Sequence, residues 1–149
     1  MSTTTDSKIR IQLEDFSVTD EIEAMKKVSR NIGGITTSLG TGRELSKGEN
    51  ITQLNFEHYP KMAEKKLEEI KNEAVRKWEI SSVAIGHRIG TLDIGETSLV
   101  VAVSGPHRAA VFEVCQYIVD RIKEIVPIWK KEFFEDGAIW VESPGSESQ

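Results

Sequence analysis

Residues 83–108 read VAIGHRIGTLDIGETSLVVAVSGPHR, and the order of signals inside this stretch decides the fold class. Val83, Ile85 and Ile89 alternate with other residues, as do Leu99, Val101 and Val103, so two strands are predicted. Gly90 and Gly95 mark the turns between them. Gly105-Pro106 then predicts the start of a helix with a core stripe of Phe112, Cys115, Val119 and Ile122, ending near Pro127. Two successive strands followed by a helix do not fit the regular alternation of a doubly wound sheet. They point to an α+β single domain with antiparallel β-sheet elements.

Working outward gives the same class. Lys8 to Glu14 carries alternating Ile9, Ile11 and Leu13, a half-buried strand. Ser17 and Asp20 resemble a capping pair and open a helix to about Arg30. Ile35 to Leu39 reads as a strand. Gly40 to Asn50, with three glycines and four charged residues, reads as an exposed, mobile loop. Ile51 to Tyr59 is predicted as a strand antiparallel to its predecessor. From Pro60 to Trp78 a long helix is expected, buried along Ala63, Leu67, Ile70, Ala74 and Trp78. Ala138 to Glu142 is a final short strand.

Composition bounds the function. The chain has 149 residues, enough for one core-forming domain, and a formal net charge of −5. That charge argues against general nucleic-acid binding, which needs a broad basic surface. No signal-peptide stretch is visible and the longest apolar run, Leu99 to Val103, is too short for a membrane span, so a cytoplasmic protein is expected. Residues 1–7 and 143–149 are expected to be disordered, leaving 8–142 as the domain. The single Cys115 cannot form an internal disulfide, and its helical stripe makes it inert core. None of His58, His87 and His107 has metal-ligand spacing, so neither metal nor cofactor is expected; His87 reads as a hydrogen-bonded sheet residue.

Three places can carry chemistry. Where a strand gives way to a helix at Pro106, the cations of His107 and Arg108 oppose the helix dipole, a cost that a bound anion offsets. The same two residues also fit plain solvent exposure or pairing with a carboxylate. Lys123 and Lys130 stand seven residues apart, about two helical turns, so they could share a face. Pro127 between them kinks or ends the helix and aims the second lysine separately. From the residues alone, ordinary complementation of the helix C-terminus is the better explanation of them. Thr41-Gly42-Arg43 offers a close-approaching backbone and a bidentate guanidinium, a signal that is weak alone.

Five motifs, in this order, resemble the large subunit family of molybdopterin synthase. They are Phe56-Glu57-His58-Tyr59-Pro60-Lys61-Met62, His87-Arg88-Ile89-Gly90-Thr91-Leu92, Gly95-Glu96, Pro106-His107-Arg108 and Pro127-Ile128-Trp129-Lys130-Lys131-Glu132. The resemblance spans roughly residues 9 to 142. It implies a hammerhead-like α+β domain that forms a homodimer, with a ubiquitin-like small subunit on each protomer, giving a heterotetramer. It further implies sulfur transfer to cyclic pyranopterin monophosphate from a thiocarboxylate on the small subunit's C-terminal Gly-Gly. Lys123 and Lys130 match the family's catalytic lysines. His107 and Arg108 match its substrate-anion contacts, and Arg43 its loop arginine. Thr41, Gly42, Lys131 and Glu132 flank that pocket. Two positions depart from the family pattern: Ser38 stands where a Phe is usual, and Gly42 where a branched residue is usual. The rival readings are a non-catalytic module that docks a ubiquitin-like sulfur-carrier tail, and an unrelated homodimeric enzyme acting on a phosphate ester.

Overall fold

The computed structural model describes residues 7–46, 48–137 and 139–142. The expectations for residues 1–6 and for the tail 143–149 lie outside the described residues. Ser7 is held against the domain, its hydroxyl accepting from the Val83 N–H at 3.2 Å.

Among the described residues nine strands and three helices follow in the order β1 (Lys8–Gln12), α1 (Val18–Lys26), β2 (Gly34–Thr41), β3 (Leu45–Ser46), β4 (Glu49–His58), α2 (Pro60–Lys77), β5 (Ser82–Arg88), β6 (Gly90–Asp93), β7 (Thr97–Gly105), α3 (Arg108–Ile125), β8 (Ile128–Phe134) and β9 (Ile139–Glu142). The first sheet has the order β1-β5-β7-β2, parallel at β1/β5 and antiparallel elsewhere. In the second, β3, β4, β8 and β9 lie side by side, and β6 also pairs with β4. The class is α+β, as the sequence predicts.

Helices α2 and α3 cover one face of the first sheet. Ala63, Leu67, Ile70 and Ala74 of α2 meet Val83 and Ile85 of β5 and Val101 and Val103 of β7 in one buried cluster. Removing this apolar surface from water is the main stabilising term. Helix α1, capped by the Ser17 hydroxyl on the Asp20 N–H, sets Met25 against Ala84 and Ala102 on the opposite face. The two sheets meet where the rings of Phe56 (β4) and His87 (β5) stand edge to face, with centroids 5.1 Å apart.

Several expectations need correction. β4 does not pair with β2. The paired side of β2 is taken by β7, while β4 pairs with β6 and β8. The Gly40–Asn50 stretch is not one open loop: β2 runs to Thr41, and Leu45–Ser46 pairs with Glu49–Asn50 around a turn containing Gly48, whose φ is 81°. Helix α3 starts at Arg108 rather than Pro106, with an extended His107 as its N-cap. Its buried stripe is Val111, Val114, Cys115, Ile118 and Ile122. Phe112, one residue and about 100° around the helix from Val111, is 61% exposed. Residues 128–134 form a strand, so Lys123 and Lys130 do not share a helix face.

Candidate functional site

Helix α3 positions the predicted residues, because it runs back along the strand that precedes it. Val111 sits beside Gly105, and the Cys115 thiol points to the Val101 carbonyl at 3.9 Å, so α3 is antiparallel to β7. His107 and Arg108 therefore lie where β7 ends, and Lys123 lies towards where β7 begins. Fifteen residues separate Arg108 from Lys123, about 22 Å along the axis at 1.5 Å per residue.

β2 repeats this division. Its first residue, Gly34, is in register with Gly105, and the Gly33 N–H donates to the Gly105 carbonyl at 2.8 Å. At its far end Thr41 is in register with Thr97. The Gly42 carbonyl accepts from the Gly95 N–H at 2.9 Å, holding the approach to Arg43 on the β6–β7 turn. Gly42 is buried and a Cβ there would overlap the Leu54 side chain. Leu54 is the register partner of Glu132 on β8, and Phe56 that of Lys130.

The nine predicted residues therefore form two groups. Thr41, Gly42, Arg43, Lys123, Lys130, Lys131 and Glu132 belong to one end of the domain. His107 and Arg108 belong to the other, both exposed, and the first turn of α3 contains no acidic residue. Between the two ends an open groove of about 330 Å³ follows the α3–β2 seam, lined by Thr36, Ser38, Phe112, Val119 and Asp120 among others.

Within the first group the side chains differ in environment. Lys123 is exposed on the last turn of α3. Pro127 ends the helical path and Tyr59 fastens the corner, its N–H donating to the Pro127 carbonyl at 3.2 Å. Strand β8 then alternates: Lys130 and Glu132 project to one side, with Nζ and Oε2 3.2 Å apart. Lys131 projects to the other and pairs with Glu57 at 2.9 Å. Glu57 is a partner that sequence reasoning missed. The period-two spacing of Ile128, Lys130, Glu132 and Phe134, in a run rich in aromatics after a proline, is the signal that could have found the strand; the pairing with Glu57 follows from the register of β8 with β4.

Two titrating groups behave as core. Burial lowers the His87 pKa to about 4, against a hydrogen bond between Nδ1 and the Arg88 carbonyl that works the other way. Burial raises the Cys115 thiol, which sits in the main core. Among the described residues no group of three His, Cys, Asp or Glu could hold a metal ion, and no helix is long and apolar enough to cross a membrane.

The pattern of the MoaE protein family matches residues 11–125. The chain belongs to the MoaE family. Its relatives include the molybdopterin synthase catalytic subunit of Halalkalibacterium halodurans, 53% identical over 76% of this chain and 73% of that one. The protein of the same name from Bacillus subtilis is 46% identical over 89% of this chain and 84% of its own. Among solved structures, the molybdopterin synthase of Staphylococcus aureus superposes with a TM-score of 0.82 at 38% identity, covering 89% of this chain and 95% of that one. The family match includes Arg43, His107, Arg108 and Lys123, whereas Lys130, Lys131 and Glu132 lie past its end.

Proposed function

We propose that this chain is the catalytic subunit of a cytoplasmic molybdopterin synthase, a sulfurtransferase of molybdenum cofactor biosynthesis. Sulfur passes from the C-terminal thiocarboxylate of a ubiquitin-like small subunit to cyclic pyranopterin monophosphate, and two transfers complete the dithiolene. The observation that carries the reading is the corner between α3 and β8. It presents Lys123 and Lys130 on separate elements, beside the β2–β3 connection that holds Arg43. Two ammonium groups and a guanidinium suit an anionic tail end meeting an anionic substrate. When the acyl–sulfur bond breaks, water supplies the oxygen that replaces sulfur and leaves a carboxylate on the tail, which the same cations hold.

His107 and Arg108 are the natural phosphate contacts, free backbone N–H groups and a helix dipole being added to their charge. On one chain they stand about 22 Å of helix from Lys123, too far for one small pterin to bridge. A homodimer resolves this. β2 is an edge strand of the first sheet, and its neighbour Phe112 is exposed. Two copies facing each other antiparallel across this edge set the Gly34 end of one against the Thr41 end of the other. Isologous two-fold contacts have this self-complementary form. Each site then takes Lys123, Lys130 and Arg43 from one protomer and His107 and Arg108 from its partner.

The direct test mixes the chain with a thiocarboxylated small subunit and the pterin precursor, and assays molybdopterin. Product is expected only with all three components. Equal product with inorganic sulfide in place of the small subunit contradicts the reading.

A further inference from the structure

Glu132 is a carboxylate placed where an apolar residue is expected. It is 3% exposed and projects to the side of β8 that also carries Phe134. Its register partner is Leu54, and Ile51, Leu54 and Phe134 form the small core of this sheet. A buried carboxylate is costly unless paired, and replacing a buried ion pair by apolar residues is often neutral or stabilising. Stability alone therefore does not account for Glu132. What it touches does: Oε2 lies 3.2 Å from Nζ of Lys130, whose side chain is 34% exposed and reaches from this buried anchor to the surface.

Lys123 has a different setting. It is exposed on the last turn of α3, and among the described residues its side chain makes no hydrogen bond or ion pair. Lys131 is on the far side of β8, tied to Glu57. Only one of the three lysines at this corner is seated on a buried carboxylate.

We propose that Glu132 is a positioning residue for Lys130, seating its ammonium group as a fixed cation towards the anionic reactants and leaving Lys123 as the amine that exchanges protons during sulfur transfer. This rests on the reading of the site given above and assigns different work to its two lysines. A fixed cation can be replaced by arginine, which is always charged; a proton-exchanging amine cannot. A residue acting only through Lys130 loses its effect once Lys130 is gone.

The experiment measures kcat and KM for the pterin precursor in the reconstituted complex, with thermal unfolding run in parallel. Glu132→Gln is expected to lower kcat/KM about tenfold or more, with Glu132→Asp recovering part of the loss. Glu132→Met should still fold, its stability being read from the parallel unfolding, yet lose activity to the same degree as Glu132→Gln; a Glu132→Met complex as active as wild type overturns the proposal. The double variant Lys130→Ala/Glu132→Gln should match Lys130→Ala within about twofold, and multiplicative losses overturn the positioning role. Lys130→Arg should retain activity within about tenfold of wild type, whereas Lys123→Arg should fall as far as Lys123→Ala; the reverse order overturns the division of labour. Wild-type activity in Lys130→Ala defeats the site reading itself, and this inference with it. Multiplicative losses with Lys130→Ala impaired defeat the inference alone.

Discussion

His87 makes the stability of this domain depend on pH in a window that can be calculated. The imidazole is 8% exposed, packed edge to face on Phe56 at the junction of the two sheets, and burial lowers its pKa to about 4 from 6.5. The unfolded chain therefore binds more protons than the folded one between those values, so stability is fully present above pH 6.5 and is lost as pH falls through this window. At pH 5 the loss relative to neutral pH comes to about 2 kcal/mol, and by pH 4 it approaches about 3 kcal/mol. Urea unfolding of wild type and His87→Gln at pH 7, 6 and 5 measures it. The variant should start less stable at pH 7, because it gives up the ring contact with Phe56. It should then lose about 2 kcal/mol less than wild type on going to pH 5. Glu73, lowered chiefly by the Tyr117 hydroxyl and then by Arg121, adds its own loss only as pH falls below 4.5. Staying at pH 5 and above keeps most of that contribution out. Parallel pH dependence of wild type and variant would refute the assignment of a neutral, buried imidazole.

Other outcomes follow from the same geometry. Lys123→Ala should cut turnover about a hundredfold or more while leaving thermal unfolding nearly unchanged; Lys130→Ala should cut turnover as far and also lower the unfolding temperature, because buried Glu132 loses its cation, and steady-state assay beside calorimetry checks both. Arg108→Ala should weaken binding of the phosphorylated precursor by about 1.5 to 3 kcal/mol with little effect on the small subunit, measured by titration calorimetry with each ligand. Leu67→Ala, at a fully buried position of α2, should cost about 2 to 5 kcal/mol in chemical unfolding.

Where alternation or helical spacing was strong, the sequence was enough to read the element. The Leu99, Val101, Val103 run and the Ala63 to Ala74 stripe are both where they were expected. The misses have separate causes. β6 is four residues long and starts at a glycine with φ of 91°, so its boundary reads as a turn. β8 holds three successive charged residues, Lys130 to Glu132, which mask the period-two signal and resemble the end of a helix. Phe112 is a large apolar residue inside a helical pattern, and spacing alone does not show that it belongs one position off the stripe. All the cations of the candidate site were visible as residue types. Their separation was not, because it follows from α3 folding back on β7, which local sequence does not encode. The buried pairing of Glu132 was hidden for a related reason: which side of β8 is covered depends on its register with β4.

The claim that each site draws on both protomers has one direct measurement. Lys123→Ala and Arg108→Ala proteins are each purified, mixed in equal amounts, exchanged into mixed dimers, and assayed with the thiocarboxylated small subunit and pterin precursor. In a mixed dimer one site unites intact Lys123 with intact Arg108 of the partner, and the other site lacks both. With half the dimers mixed, activity should recover to about a quarter of wild type, far above either variant alone. Activity no greater than the mean of the two separate variants, with mixed dimers demonstrated, would place both groups of residues in the site of a single chain and contradict the account.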